Sequence, residues 1–363
     1  MDREPGLTRV LLVDDSPLVR RLLARALRAE GFEIAGEAGD ALQARELMRE
    51  LEPDVVVLDV ELPRSDGFSL LLQLAQHGPA PLVVCSALTA RSGDAALRAL
   101  AAGAFAIVSK PQGSYGPARM TRDLVAAVRG AARTRPTAAQ HRPRAHPVSG
   151  PVPAPDGPST RRGAPRLIAI GASTGGIVAL ETLIRGLASE APPVLVVQHL
   201  PASVMGSFAA RLDQQLQPRV SVARDGEPLR AGSVLIAPGD AHLLVERSRD
   251  DLCVRLCPGD KINGYRPAVD VLFQSISQTE PRAIGVLLTG MGRDGARGLL
   301  SLRRAGAYTL VQDEASSVVW GMPKAALELD AADDVLGLEA IAPRLNQLLE
   351  ARRAPSVGRA LSF

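Results

Sequence analysis

The chain has 363 residues, of which 46% are hydrophobic and 22% charged, enough for two domains with cores of their own. A formal net charge of +3 and an aromatic content of 3% leave neither the electrostatic footprint nor the base-stacking surface of a nucleic-acid binder. Three cysteines, Cys85, Cys253 and Cys257, suit a reducing compartment, and one CxxxC pair without a second pair or a histidine cluster does not make a zinc site. Met1–Gly6 has acids and no apolar signal core, and no apolar run nears the ~20 residues of a membrane span. The expectation is a soluble, cytoplasmic protein without membrane insertion.

Residues 1–130 alternate strand and helix signals. Apolar runs at Val10–Val13, Phe32–Ile34, Val55–Leu58, Leu82–Cys85 and Phe105–Val108 are separated by helical patterns such as Leu18–Leu27 and Ala41–Leu51. This predicts an α/β fold, a doubly wound (βα)5 parallel sheet. Residues 131–165 hold eight prolines, six arginines and one acid, Asp156, the composition of an extended linker. From 166 to 355 the alternation resumes, with strands expected at 167–170, 194–198, 234–236, 284–288 and 307–311. These define a second, parallel α/β domain. The segment 219–257, broken by Asp225-Gly226, Pro238-Gly-Asp240 and Arg249-Asp-Asp251, reads as an insertion of antiparallel hairpins. An amphipathic helix from about Glu339 to Arg353 closes the domain, and 356–363 is a tail.

In the first domain Asp14 and Asp15 end the first strand, Asp59 the third, Ser86 follows the fourth and Lys110 the fifth. Carboxyl ends of parallel strands share one rim, so three acids, a hydroxyl and an ammonium gather there. Three acids repel one another unless a cation intervenes, and a few carboxylates with water suit Mg²⁺. One carboxylate can then attack a phosphoryl donor. Taken singly, each is an ordinary solvated acid. Together they resemble a response-regulator receiver over residues 8–129. The resemblance implies that Asp59 is the phosphoacceptor, that Asp14 and Asp15 with Asp59 and the Glu61 carbonyl hold Mg²⁺, that Ser86 and Lys110 contact the phosphoryl group, and that a histidine kinase is the donor. The position three before the lysine, often aromatic in receivers, is Ile107, which sets aside the usual aromatic switch.

In the second domain three apolar runs end on polar residues. Arg166–Gly176 runs into a Gly-rich turn presenting Ser173, Val194–His199 ends on His199, and Ala283–Asp294 reaches Asp294. Serine, histidine and acid at one rim form a serine-hydrolase pattern, in which the base activates the hydroxyl and the acid orients the base. Each has another reading: a Gly-rich strand-to-helix turn also binds phosphate, a lone histidine is often structural, and Asp294 can cap the helix that follows. The order Ser173, His199, Asp294 differs from the serine–acid–histidine order of α/β-hydrolases.

The segments GASTGG (171–176), QHLP (198–201), IAPGDAHLL (236–244), RPAVDVLF (266–273), TGMGRDGA (289–296) and WGMPKAA (320–326) resemble the catalytic domain of the CheB family, chemoreceptor glutamate methylesterases and glutamine deamidases. A receiver joined by a linker to this domain is the family's own architecture. By the resemblance, Ser173 is the nucleophile, His199 the general base and then acid, and Asp294 the orienting carboxylate. Met291 N–H is the leading oxyanion donor, and Thr174, His242, Arg266 and the 320–324 loop are substrate-cleft candidates. The substrates implied are methylated cytoplasmic helices of chemoreceptors, with no cofactor at the hydrolase site. The resemblance also implies a monomer whose unmodified receiver covers the triad. A regulated esterase for another ester, or a receptor-binding scaffold, are the competing readings.

Overall fold

The computed structural model describes residues 7–59, 62, 74, 80–86, 90–110, 116–133, 165–248 and 251–351. Glu61, residues 134–164 of the expected linker and the tail lie outside them. The chain divides into two compact units, each built on a parallel sheet.

The first unit comprises β1 (Arg9–Val13), α1 (Pro17–Ala29), β2 (Glu33–Ala38), α2 (Ala41–Leu51), β3 (Val55–Asp59), β4 (Leu82–Ser86), α3 (Ala90–Ala101), β5 (Ala106–Ser109) and α4 (Pro117–Arg133). The last helix runs three residues past the expected start of the linker. All strands pair in parallel in the order β2-β1-β3-β4-β5. Every residue of β3 and β4 is buried, as near-continuous Val/Leu runs covered on both faces must be. Helix α1 begins where Ser16 accepts the Val19 N–H and Pro17 supplies a preset φ. The chain leaves β1 toward opposite sides for β2 and β3, so the ligand crevice of such a sheet opens between the ends of β1 and β3.

The second unit comprises β6 (Leu167–Ala172), α5 (Gly176–Arg185), β7 (Val194–Gln198), α6 (Ala202–Gln215, counted in this unit from Ala209), β8 (Arg219–Val222), β9 (Ser233–Ile236), β10 (His242–Ser248), β11 (Asp251–Cys257), α7 (Val269–Thr279), β12 (Ala283–Leu287), α8 (Ala296–Ala305), β13 (Tyr308–Gln312), α9 (Met322–Glu328), β14 (Asp334–Leu336) and α10 (Leu338–Ala351). Its main sheet has the order β14-β13-β12-β6-β7-β9-β8. One expectation needs correction here. Only β10 and β11 form an antiparallel hairpin, whereas β8 and β9 pair in parallel and extend the main sheet. The hairpin lies on α7, where Leu243, Val245, Leu252 and Val254 join one core with Leu272, Phe273 and Ile276. Ser275 Oγ takes the Val245 N–H and Thr279 Oγ1 donates to the Val245 carbonyl, so side chains of α7 cover the strand edge. The order reverses between β6 and β12, which makes the gap beyond their carboxyl ends the crevice of this sheet.

At the opposite end of the sheet, Glu280, which closes α7, is buried at 1% exposure. Arg282 Nε (3.0 Å), Arg247 Nη2 (3.2 Å) and Arg166 Nη1 (3.3 Å) converge on it. Burial alone raises its carboxyl, but the bonds from Arg282 and then Arg247 outweigh this and carry it below the usual glutamate range. A depressed folded pKa stabilises above the unfolded value, about 4.3, and the benefit is lost as pH falls through the folded one. Glu280→Gln is therefore expected to lower the melting temperature at pH 7, with the deficit shrinking toward pH 3. Calorimetry across that range checks this, and a constant deficit contradicts it.

Candidate functional site

Ser173 follows β6 directly, and backbone bonds fix it from both sides. Its N–H donates to Thr289 O (3.1 Å) in the loop after β12. The His199 N–H after β7 donates to Ala172 O (3.1 Å), one residue before the serine. His199 Nε2 lies 2.9 Å from Asp294 Oδ2. That carboxylate also accepts the N–H groups of Val269 (2.7 Å), Asp270 (3.1 Å) and Gly295 (3.0 Å). An oxygen among so many donors makes Nε2 a donor as well, which assigns the ring hydrogen to Nε2 and leaves Nδ1 as the basic nitrogen. Nδ1 is buried and has no hydrogen-bond partner among the described residues. The three expected residues are thus brought together at the reversal of the sheet.

Glycine makes this approach possible. A Cβ on Gly290 would lie 2.8 Å from Ser173 Cβ and 2.3 Å from Met322 Sδ. Gly175 has φ 79° and caps α5 with no side chain of its own. Three residues that the motifs alone do not single out brace the loops. Thr289 Oγ1 faces the carbonyls of Thr174 (2.9 Å) and Val319 (3.3 Å). Gln312 Oε1 accepts the Thr289 N–H, and Gln198 Nε2 donates to Ser173 O, both at 2.8 Å. The 320–324 loop is tied in by the Gly321 and Met322 N–H groups on Gly290 O. Beside Ser173, the N–H groups of Thr174 and Met291 find no partner among the described residues.

Two cleft candidates are bonded to backbone. His242 is 3% exposed, its Nε2 on Asp260 O (2.8 Å) and its Nδ1 accepting from Ala268 N (3.2 Å). Both nitrogens are engaged with backbone, so the ring props the start of α7. Arg266 Nη1 donates to the carbonyls of Pro258 (3.1 Å) and Gly259 (2.8 Å), which closes a loop. Asp270 was not singled out by its sequence context. Its Oδ1 accepts the Gly298 N–H (2.7 Å) and its Oδ2 the Asn263 amide (3.1 Å). Burial raises its carboxyl, the Gly298 bond opposes this, and the Asp294 charge adds to it.

In the first unit Asp14, Asp59 and Ser86 are buried and Asp15 is exposed. One oxygen from each of Asp14, Asp15 and Asp59 lies within 4.8 Å of the others. Lys110 Nζ stands 2.6 Å from Asp14 Oδ2 and 2.8 Å from Asp59 Oδ2. Burial alone lowers an ammonium, but these two contacts carry Lys110 above the usual lysine value. Three carboxylate oxygens this close together, one of them on the exposed Asp15, fit a hard cation that keeps part of its water. The Lys110 N–H donates to Ser86 O (2.7 Å), joining the two phosphoryl-contact candidates. Burial pushes the Cys85 thiol up to about 12, which makes it a filler and not a nucleophile. Ile107 is half-buried on β5.

Residues 168–345 match the CheB methylesterase family model, and residues 10–116 match the response regulator receiver domain. A curated relative from Anaeromyxobacter dehalogenans, named protein-glutamate methylesterase/protein-glutamine glutaminase 4, is 45% identical over 352 residues, covering 95% of this chain and 96% of its own. Another from Pseudomonas aeruginosa, with the same name and the number 2, is 44% identical and covers 93% and 96%. The chain belongs to the CheB methylesterase family. The Thermotoga maritima CheB methylesterase catalytic domain is 37% identical and matches with a TM-score of 0.50, covering 51% of this chain and 99% of that one. In this member of the family, Gly290→Ala is expected to push Ser173 out of place. Esterase kcat should fall about 100-fold with the circular dichroism spectrum kept, and an unchanged kcat contradicts the close approach.

Proposed function

We propose that this protein hydrolyses γ-glutamyl methyl esters on the cytoplasmic helices of chemoreceptors, deamidates glutamines there by the same route, and is switched by phosphorylation of Asp59. The observation that carries the proposal is the buried His199–Asp294 pair one residue from the Ser173 turn. Ser173 Oγ attacks the ester carbonyl as His199 Nδ1 takes its proton, and the oxyanion accepts the Met291 N–H. Asp294 stabilises the imidazolium. Collapse breaks the acyl–oxygen bond, and the imidazolium returns the proton to the leaving oxygen, so methanol departs. Water repeats the sequence on the acyl-enzyme, freeing the glutamate carboxylate and restoring Ser173. In deamidation ammonia leaves instead, and the poorer leaving group leans harder on His199 as acid. Thr174 borders the scissile group.

Asp14, Asp15 and Asp59, with the Glu61 carbonyl, are the residues that would hold Mg²⁺. When bound, this ion screens the repulsion among the acids and the charge arriving with the phosphoryl group. Asp59 attacks the donor phosphorus and the donor's leaving group departs. Lys110 and Ser86 then turn to the new phosphoryl oxygens, and the movement of Lys110 off the carboxylates repacks the rim. The donor is a histidine kinase of the chemotaxis type. Among the described residues no helix is long and apolar enough to cross a membrane. The protein acts as a monomer.

The test is methanol release from a methylated receptor cytoplasmic fragment, with wild type and Ser173→Ala, each with and without acetyl phosphate and Mg²⁺. Release should require Ser173 and rise with the phosphodonor. Release by the alanine variant overturns the nucleophile, and release indifferent to phosphodonor overturns the control.

A further inference from the structure

The loop between β11 and α7 reaches back over the histidine. Asn263 and Gly264 both have positive φ, 53° and 85°, and Ile262 and Tyr265 exchange backbone bonds at 3.0 and 2.9 Å. This is the geometry of a tight Asn-Gly turn. The turn lays the Tyr265 ring flat on His199, with centroids 3.9 Å apart and planes 6° from parallel. Arg266 closes the loop on Pro258 and Gly259, and Asn263 ties it to Asp270. Asp270 in turn leads to Asp294 through its own N–H. The tyrosine is therefore held at the same rim by Asn263 before it in the chain and Arg266 after it.

We infer that Tyr265 is a positioning residue for His199, holding the imidazole plane so that Nδ1 stays free for Ser173 and stabilising the imidazolium across its face. The proposal rests on the hydrolase reading above and adds a residue to it. A ring clamped on one face cannot swing about its side-chain bond without leaving Asp294. When the ring takes the serine proton it becomes a cation over a π face, an attraction absent before proton transfer, so the contact favours the transition state over the ground state. The phenol ring does this and the hydroxyl does not. Among the described residues, the titratable groups against the imidazole are Asp294 on Nε2 and Tyr265 on its face, with Asp270 behind Asp294.

The test compares full-length wild type, Tyr265→Phe and Tyr265→Leu. On methylated receptor fragment, Tyr265→Leu should lose about 10-fold in kcat with KM nearly unchanged, and the acid limb of its kcat/KM profile should move to lower pH. Tyr265→Phe should restore both. A fluorophosphonate that modifies reactive serines gives a second readout, independent of the natural substrate: Tyr265→Leu should slow modification of Ser173 by a similar factor and Tyr265→Phe should not. If receptor ester is not hydrolysed but Ser173 reacts with the probe in this order, the substrate reading fails while the role of Tyr265 stands. If Tyr265→Leu matches wild type in probe rate and acid limb, or Tyr265→Phe is as impaired as Tyr265→Leu, the proposal is overturned.

Discussion

A carboxylate without water must be surrounded by donors, and Asp294 is held by four: three backbone N–H groups and His199 Nε2. Two of the backbone donors open α7, whose own cap residue, Ala268, offers no side-chain bond. Asp294 thus does for α7 what an N-cap does from within. The favour is returned, because Asp270 in the first turn of α7 takes the Gly298 N–H of α8, and Gly295, the cap of α8, has no side chain to do so. Two helices cross-cap one another through the acid that orients the histidine. Seating α7 and fixing the His199 tautomer are consequences of that one buried charge.

The two units use the same topological rule with opposite electrostatics. Each places its polar residues where the strand order reverses. In the second, one carboxylate is neutralised by backbone donors and one imidazole, so it stays a fixed orienter. In the first, Lys110 pairs with two of three clustered carboxylates, Asp14 and Asp59, and Asp15 stands beside them. That imbalance leaves room for a cation and for a ligand that redistributes the ammonium. The first arrangement is built to change state and the second to stay put.

Much of this was legible in the sequence because it depends on where apolar runs stop. Ser173, His199, Asp14 and Asp59 each stand just past such a run and Asp294 lies in the loop that follows one, and a parallel sheet sends those positions to one rim. The pairing of β8 with β9 was not legible. Four-residue runs carry no mark of parallel or antiparallel direction, which is settled by β7 offering its free edge to β9. His242 sits in a motif shared with the hydrolase family, and only its two backbone partners reveal a prop. Tyr265 was missed for a related reason: the turn that carries it is a local signal, but the ring it covers lies 66 positions earlier in the chain. Asp270 looked like any acid in the first turn of a helix.

The measurement that tests the account most directly is kcat for Asp294→Asn on methylated receptor fragment, alongside its melting temperature. An amide turns one acceptor into a donor, so it either clashes with the α7 N–H groups or reverses the hydrogen on His199. The account predicts a fall in kcat of about 10⁴-fold with a lowered melting temperature, both from one substitution. A variant that keeps kcat within about tenfold of wild type contradicts it.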